Sequence, residues 1–489
     1  MNLETITVPQ NKADLLFNLF SAEYCIYRDS TTDKLIAVNS KNQLIEFSKN
    51  NICKLLRELY FNQAKQTISN EPINNAWYMI ESISNLCSDY IRIVDLSYQN
   101  DNLLIYNIIG SDSYVQIKKN SYKLIKKSAN KKLYIRSNTL NQFIEPELSV
   151  DKSALLEFID NINIDDNSKL LLAVYATSLF IPNINHPILF AVGDYGASKT
   201  TTLKMIGNIY LPYHCEVVSL PKNEDEAAVL IDNSEYTIFD NVSYINRSMA
   251  DLLCLSVTNG SYCKRELYTN SKVVNLNIHK PVAISSINRN IKYADLIDRS
   301  IAIDFKRIPP EKLVTEEILW KKFYSMLPKI QGSIFKILSI ALAKYDSIKI
   351  SKHPRLADFA KWGYAIAEAI GEGNGEVFLQ QYSDNLNLTF KNSISENPLL
   401  NTVEIFMSDK EYWEGTASEL LSELKKTYQI INVTNIMPLS FPSAANVLTR
   451  QINSSINELK ILGISVEITR STTRKIKLLH IGGTSDEKN

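Results

Sequence analysis

Gly193-Asp-Tyr-Gly196-Ala-Ser-Lys199-Thr200 is the stretch of this chain best equipped for chemistry. An apolar run from Pro187 to Val192 precedes it, and a helical pattern from Thr201 to Ile209 follows. A buried strand, a glycine-bearing loop and a helix in that order make a P-loop, whose backbone N–H groups and helix N-terminus cradle phosphates. Gly193, Asp194, Tyr195, Gly196, Ala197, Ser198 and Thr201 are the expected loop contacts to ATP. Lys199 is placed to reach the β- and γ-phosphates, and Thr200 to hold Mg²⁺ through its hydroxyl. Ser198 stands where the second glycine of the pattern is expected, and serine tolerates fewer backbone angles.

A P-loop needs an acid to order the Mg²⁺ shell, set at the end of a second buried strand. Tyr236–Phe239 reads as such a strand and ends in Asp240 and Asn241. Pro281–Ile287 reads as a further core strand with Asn288 at its end, and Arg299 comes just before another. Between them Lys264–Leu276 forms two short runs around a Thr-Asn-Ser turn, which predicts a hairpin with Lys264 and Arg265 at its base and Lys272 at its tip. Strands alternating with helices predict a three-layer α/β core on a parallel sheet.

A chain of 489 residues, 45% apolar and 22% charged, suits a water-soluble protein of about two to four domains. Its formal net charge is zero, so any nucleic-acid surface must be local. Six scattered cysteines fit free thiols in a reducing cytoplasm. No signal pattern and no apolar run long enough for a bilayer is expected, hence no membrane partner.

The expected domains are 1–150, a mixed α+β domain; 151–310, the ATPase core; 311–399, a helical lid; 400–480, a winged helix; and 481–489, a disordered tail. In the first, helices are expected at Ala13–Phe20 and Ile52–Tyr60. Five antiparallel strands lie between Tyr90 and Arg136, the last three crowded with lysines that make either a solvated face or a nucleic-acid patch. In the last, one helix follows Trp413, a second runs from Pro442 to Leu459, and a basic hairpin surrounds Ser471–Arg474. Arg450, Arg470, Arg474 and Lys475 would meet DNA phosphates there, with protein docking as the alternative.

Together these residues resemble the AAA+ ATPases. Val282–Arg289 resembles the sensor-1 strand, which makes Asn288 the residue that orients attacking water, or Ser285 if the register slips. Asp295–Ile303 resembles the segment that presents Arg299 as an arginine finger in minichromosome-maintenance (MCM) helicases. Asp240–Ser243, Lys264–Thr269, Asp295–Ser300, Arg355–Gly363 and Trp413–Leu420 are similar to the MCM-like replicative helicases of staphylococcal cassette chromosomes and related bacterial mobile elements. That resemblance implies a homo-oligomeric ring, usually a hexamer, which hydrolyses ATP and translocates on single-stranded DNA. It makes Arg355 a second sensor from the lid, or else a solvent-facing arginine at a helix start. Asn241 departs from the glutamate of most AAA+ proteins; an amide orients water but does not accept its proton.

The leading expectation is therefore an ATP-dependent helicase acting on single-stranded or forked DNA in the replication of a mobile element. One rival is an initiator that binds origin duplex through its winged helix and uses ATP as a switch. Another is an AAA+ ATPase that remodels protein.

Overall fold

The computed structural model describes residues 11–480 apart from 31–32, 40–43, 95, 128–132, 136–142, 214, 259, 266–272, 290, 351–353, 396, 432–436, 439 and 471–473. The chain divides into two compact units. The first holds residues 1–155, 180–183 and 324–346; the second holds 156–179, 184–323 and 347–489.

The first unit opens with α1 (Lys12–Glu23), β1 (Tyr24–Asp29), β2 (Leu35–Asn39), β3 (Leu44–Glu46), α2 (Lys49–Ala64) and α3 (Asn70–Ser84). It continues with β4 (Tyr90–Val94), β5 (Ser97–Asn100), β6 (Leu103–Asn107), β7 (Ser113–Lys118), β8 (Ser121–Lys126) and β9 (Leu133–Ile135). The Ser48 hydroxyl accepts from Asn51 N–H and caps α2. Leu16, Leu56, Trp77 and Ile80 pack the three helices together in a core that includes Tyr24 and Ala37 of the sheet. That sheet runs β3-β2-β1-β4-β9.

Strands β4 and β9 pair in parallel, which corrects the expectation of antiparallel strands throughout. Local alternation marks a strand, but its direction in the sheet is set by long-range pairing. The antiparallel reading holds for β6 to β8, which join β5, a strand not expected from the sequence, in a separate four-stranded sheet. The basic stretch is also thinner than its sequence implies. Lys127 is buried, with its ammonium donating to Ile108 O, and desolvation pushes its pKa down to about 8. Lys119 pairs with Asp346 at 2.8 Å. Lys131, Lys132 and Arg136 lie outside the described residues.

The second unit is built on a sheet of five parallel strands. In chain order its elements are α4 (Ser153–Asp160, beginning in the first unit), α5 (Asp166–Ser178), β10 (Ile188–Val192), α6 (Lys199–Tyr210), β11 (Val217–Ser219), α7 (Glu224–Asp232), β12 (Thr237–Asp240) and α8 (Arg247–Val257). The hairpin β13 (Ser261–Arg265) and β14 (Val273–Asn277), then β15 (Val282–Ser286), α9 (Ala294–Ile297) and β16 (Ser300–Asp304) complete it. The sheet order is β11-β12-β15-β10-β16. Strands β10 and β15 are buried along their whole length, as parallel strands covered on both faces must be, which is why they read as continuous apolar runs. Edge strand β16 is not left open: the Asn385 amide accepts from Ala302 N–H at 3.0 Å and donates to Ala302 O at 2.7 Å.

Helices α10 (Glu316–Lys344), α11 (Ala357–Ile370) and α12 (Asn374–Ser395) follow. Residues 324–344 of α10 cluster with the first unit, so the helical stretch 311–399 does not form one body. By length and composition α10 is apolar enough to cross a bilayer, contrary to expectation, but 67% of its apolar window is buried within the protein, as in a core helix. The C-terminal part has α13 (Pro398–Met407), β17 (Tyr412–Thr416), α14 (Ala417–Ile431), α15 (Ala445–Ser454), α16 (Ile456–Ile461), β18 (Ile464–Arg470) and β19 (Arg474–His480). The single helix expected up to Leu459 is two, broken at Ser455. Strands β17-β19-β18 form an antiparallel sheet over a core that includes Val403, Leu420, Leu448, Ile476 and Leu478.

Candidate functional site at the carboxyl edge of the parallel sheet

Ligands bind open parallel sheets beyond the carboxyl ends of their strands, and the loop from Gly193 to Thr200, Asp240, Asn241 and Asn288 lie there. The loop from Gly193 to Ser198 leaves β10 with positive φ at Gly193 (150°), Gly196 (79°) and Ser198 (56°). A Cβ on Gly193 would lie 2.3 Å from the Phe305 carbonyl oxygen, so the loop passes too close to the chain after β16 for any side chain. Ser198 occupies the left-handed region as a serine, at a cost of about 1–2 kcal/mol that glycine would not incur. Asp194 and Tyr195 are exposed, Ala197 is buried, and Lys199, Thr200 and Thr201 open α6 half-buried. Gly193→Ala is expected to displace the loop and weaken binding of a fluorescent ATP analogue at least about fivefold, through an overpacking cost of about 1–3 kcal/mol. Unchanged affinity would mean that the loop does not contact nucleotide.

Lys199 Nζ donates to Gly193 O (2.6 Å) and Asp194 O (2.9 Å). Burial lowers its pKa, against the opposing charges of Asp240 and Asp194. Thr200 Oγ1 donates to Asp240 Oδ1 at 2.5 Å, joining the first turn of α6 to the end of β12. Ser285 of β15 donates to the same oxygen, and its Oγ accepts from Asn241 N–H at 2.9 Å. Ser285 is buried, so it fixes Asp240 and Asn241 rather than meeting water in the cleft. Asn241 has φ 53°. Asparagine enters that region several-fold more readily than most side chains, which is a backbone reason for finding it where glutamate was expected. A hydroxyl and a carboxylate oxygen are the hard donors that suit Mg²⁺, which takes one or two protein oxygens alongside phosphates.

Asn288 is exposed beyond β15, whose Ser286 pairs in register with Val192 of β10. It lines a cleft of about 540 Å³ together with Gly193, Asp194, Arg289, Asp304, Arg307 and Asn392. Sequence reasoning passed over Arg289, which is buried and bonded to Asp304. An arginine inside an apolar strand-end segment was the available signal, since a buried guanidinium must be paired.

Arg299 lies at the opposite edge of the sheet. Its carbonyl accepts from Ile188 N–H at the start of β10, five strand residues and roughly 16 Å from the loop. Its side chain is buried, with Nη1 2.7 Å from both Asp295 O and Asp295 Oδ1. It is thus held by an i,i+4 partner rather than displayed at an open edge. That bond holds the Asp295 carboxyl below its ordinary pKa, helped by the charges of Arg355 and Arg247. Arg355 also opposes the upward shift that burial gives Asp298. Arg355 is exposed just before α11, and its charge acts on the same two carboxylates, Asp295 and Asp298.

Lys264 is committed to α7: its Nζ lies 3.6 Å from Asp225 Oδ2, while Tyr262 Oη donates to Asp225 Oδ1 at 2.7 Å. The acidic first turn of α7 thus holds β13, and Lys264 and Arg265, expected at the base of the hairpin, instead pair with Val274 and Val273 at the end next to its turn, because the strands extend back to Ser261 and Asn277. Its tip, including Lys272, lies outside the described residues, and only the backbone of Arg265 is described. In the C-terminal sheet Lys475 pairs with Glu414 at 3.0 Å and Lys477 with the same carboxylate at 3.7 Å, so this hairpin is partly neutralised. Arg450 is exposed on α15. Arg470 and Arg474 face each other in backbone register.

Residues 154–387 match the family described as the actinomycete integrative conjugative element replication protein, and residues 399–486 match that family's C-terminal domain. No curated protein matches the chain. Among solved structures, the chain is similar to the active helicase Cch of SCCmec type IV, at 12% identity, 94% of this chain, 93% of that chain and a TM-score of 0.47. It is also similar to the apo C-terminal region of NrS-1, at 12% identity, 97% of this chain, 100% of that chain and a TM-score of 0.38.

Proposed function

We propose that this chain, a mobile-element replication protein by both of its family matches, is an ATP-driven DNA helicase of the AAA+ class with an MCM-like arrangement. The observation that carries the reading is the meeting of Thr200 and Asp240 at the foot of a loop whose positive-φ turns open its N–H groups to an anion.

In this reading the loop N–H groups and the start of α6 take the triphosphate of ATP. Lys199 exchanges its bonds to the loop carbonyls for the β- and γ-phosphates. Thr200 and Asp240 would hold Mg²⁺. Bound Mg²⁺ supplies charge neutralisation on the phosphate oxygens. Asn288 orients the attacking water, and Asn241 orients without accepting its proton. Arg299 lies too far from its own loop to reach its nucleotide, which supports a role at the nucleotide of an adjacent copy, within a ring, and Arg355 would act as a second sensor from the lid. The three-stranded C-terminal domain acts as a winged helix, with Arg450, Arg470, Arg474 and Lys475 toward DNA phosphates. The hairpin β13–β14, with Arg265 and Lys272, would line the channel for the single strand, and Lys264 would serve there only by exchanging Asp225 for phosphate.

Strand displacement from a forked duplex by the purified full-length protein, with its mass in solution, tests this. ATP-dependent unwinding by an assembled species is expected. Sequence-specific duplex binding without any unwinding would favour an initiator.

A further inference from the structure

Arg289 follows Asn288 in the chain but turns inward, and three segments meet at its guanidinium. Its Nε donates to Asp304 Oδ1 at 2.9 Å, and its Nη2 donates to Asp304 Oδ2 at the end of β16. The same Nη2 approaches Ala302 O at 3.4 Å. Its Nη1 donates to Thr389 Oγ1 on α12 at 3.0 Å. Only a planar fork of five N–H donors can make this set at once, and only 7% of Arg289 is exposed.

Helix α12 is held to the parallel sheet along one face, by Asn385 on Ala302 and by Thr389 on Arg289, one helical turn apart. Farther along, Ile394 of α12 is buried in the same apolar cluster as Val403, Leu420, Leu448 and Leu478 of the C-terminal domain. One rigid helix therefore joins the core of that domain to the residue beside Asn288. Packed interfaces of this kind shift between discrete arrangements rather than deforming smoothly.

We infer that Arg289 is a positioning residue that couples the C-terminal domain to Asn288 through Thr389. When that domain engages DNA, a shift of α12 moves Thr389, Arg289 follows, and Asn288 enters or leaves the geometry that orients water. This link rests on the proposed roles of Asn288 and of the C-terminal domain.

Thr389→Val tests it, because valine keeps the side-chain shape, removes the bond to Arg289 and leaves the Asp304 pair intact. ATP hydrolysis by the full-length protein is measured with and without oligothymidine, alongside oligothymidine affinity and melting temperature. The parent is expected to hydrolyse ATP faster with the single strand. Thr389→Val is expected to keep basal hydrolysis and DNA affinity within about twofold, while stimulation falls about threefold or more. Arg289→Lys, which keeps the charge but not the fork, is expected to lower kcat with KM nearly unchanged. Adding Thr389→Val to it should cause no further loss of stimulation, since both act through one link. Parental stimulation in Thr389→Val overturns the inference. So does a drop in basal and stimulated rates that merely follows a lowered melting temperature. A parent that hydrolyses ATP without any response to DNA overturns the link and leaves the ATPase reading standing. A parent without hydrolysis overturns both.

Discussion

Lys199→Ala is expected to abolish ATP hydrolysis while leaving the melting temperature close to that of the parent. Among the described residues, the Lys199 ammonium bonds to Gly193 O and Asp194 O, both within its own loop. Its removal takes no partner from the sheet or from the buried core. The loop carbonyls it leaves belong to residues at the cleft, where water can replace the lost donor. The chemical role proposed for it is of another size. A preorganised cation at phosphate oxygens that gather charge in the transition state is worth about 10²–10³-fold or more in rate. The loss should therefore fall on kcat, with the fold intact by circular dichroism and melting. Parental turnover in a well-folded Lys199→Ala protein would remove the loop from 193 to 200 as the nucleotide site.

How much of this site was legible depended on whether its geometry is local. The strands β10 and β15 announce themselves as apolar runs because both faces are covered, and a loop that must carry positive φ announces itself through Gly193 and Gly196. Asp240 was singled out because a buried strand ending in an acid is a local pattern, although its bond to Thr200 links two elements 40 residues apart. The Asp295–Arg299 pair had a local signal, an i,i+4 spacing across a helical turn, that the arginine-finger reading passed over. Lys264 and Lys475 read as free cations because Asp225 and Glu414 are distant in sequence; only the fold brings them together. Helix α3 was missed because Asn70, Pro72, Asn74 and Asn75 are poor helix formers; burial of Ile73, Trp77 and Ile80 outweighs that preference. That the charges of Arg355 and Arg299 act on the same two carboxylates is likewise a matter of chain path, invisible to a motif that names each arginine separately.

Arg299→Ala is expected to bind ATP and hydrolyse almost none of it. Arg299 sits at the amino edge of the parallel sheet, level with Ile188, while the loop that follows Val192 is at the carboxyl edge. No rotamer carries its guanidinium across the length of β10, so any service to a γ-phosphate must be to that of a second copy. An arginine supplied in trans is worth about 10³–10⁵-fold in rate. To act, Arg299 must exchange its bonds to Asp295 for phosphate, and the Asp295 carboxylate, with half of its side chain exposed, can be left to water without a large desolvation cost. For the same reason the alanine variant should fold, and Arg299→Lys, which keeps the charge without the fork, should recover little of the rate. The decisive measurement is mixing. Arg299→Ala retains an intact loop, and Lys199→Ala retains an intact arginine, so a mixed assembly contains interfaces with both groups. Hydrolysis should reappear in the mixture at a fraction of the parental rate, although neither variant hydrolyses alone. Full activity of Arg299→Ala by itself, or no recovery in a mixture shown to co-assemble, would confine Arg299 to its ion pair with Asp295 and leave the nucleotide site without a contribution from its neighbour.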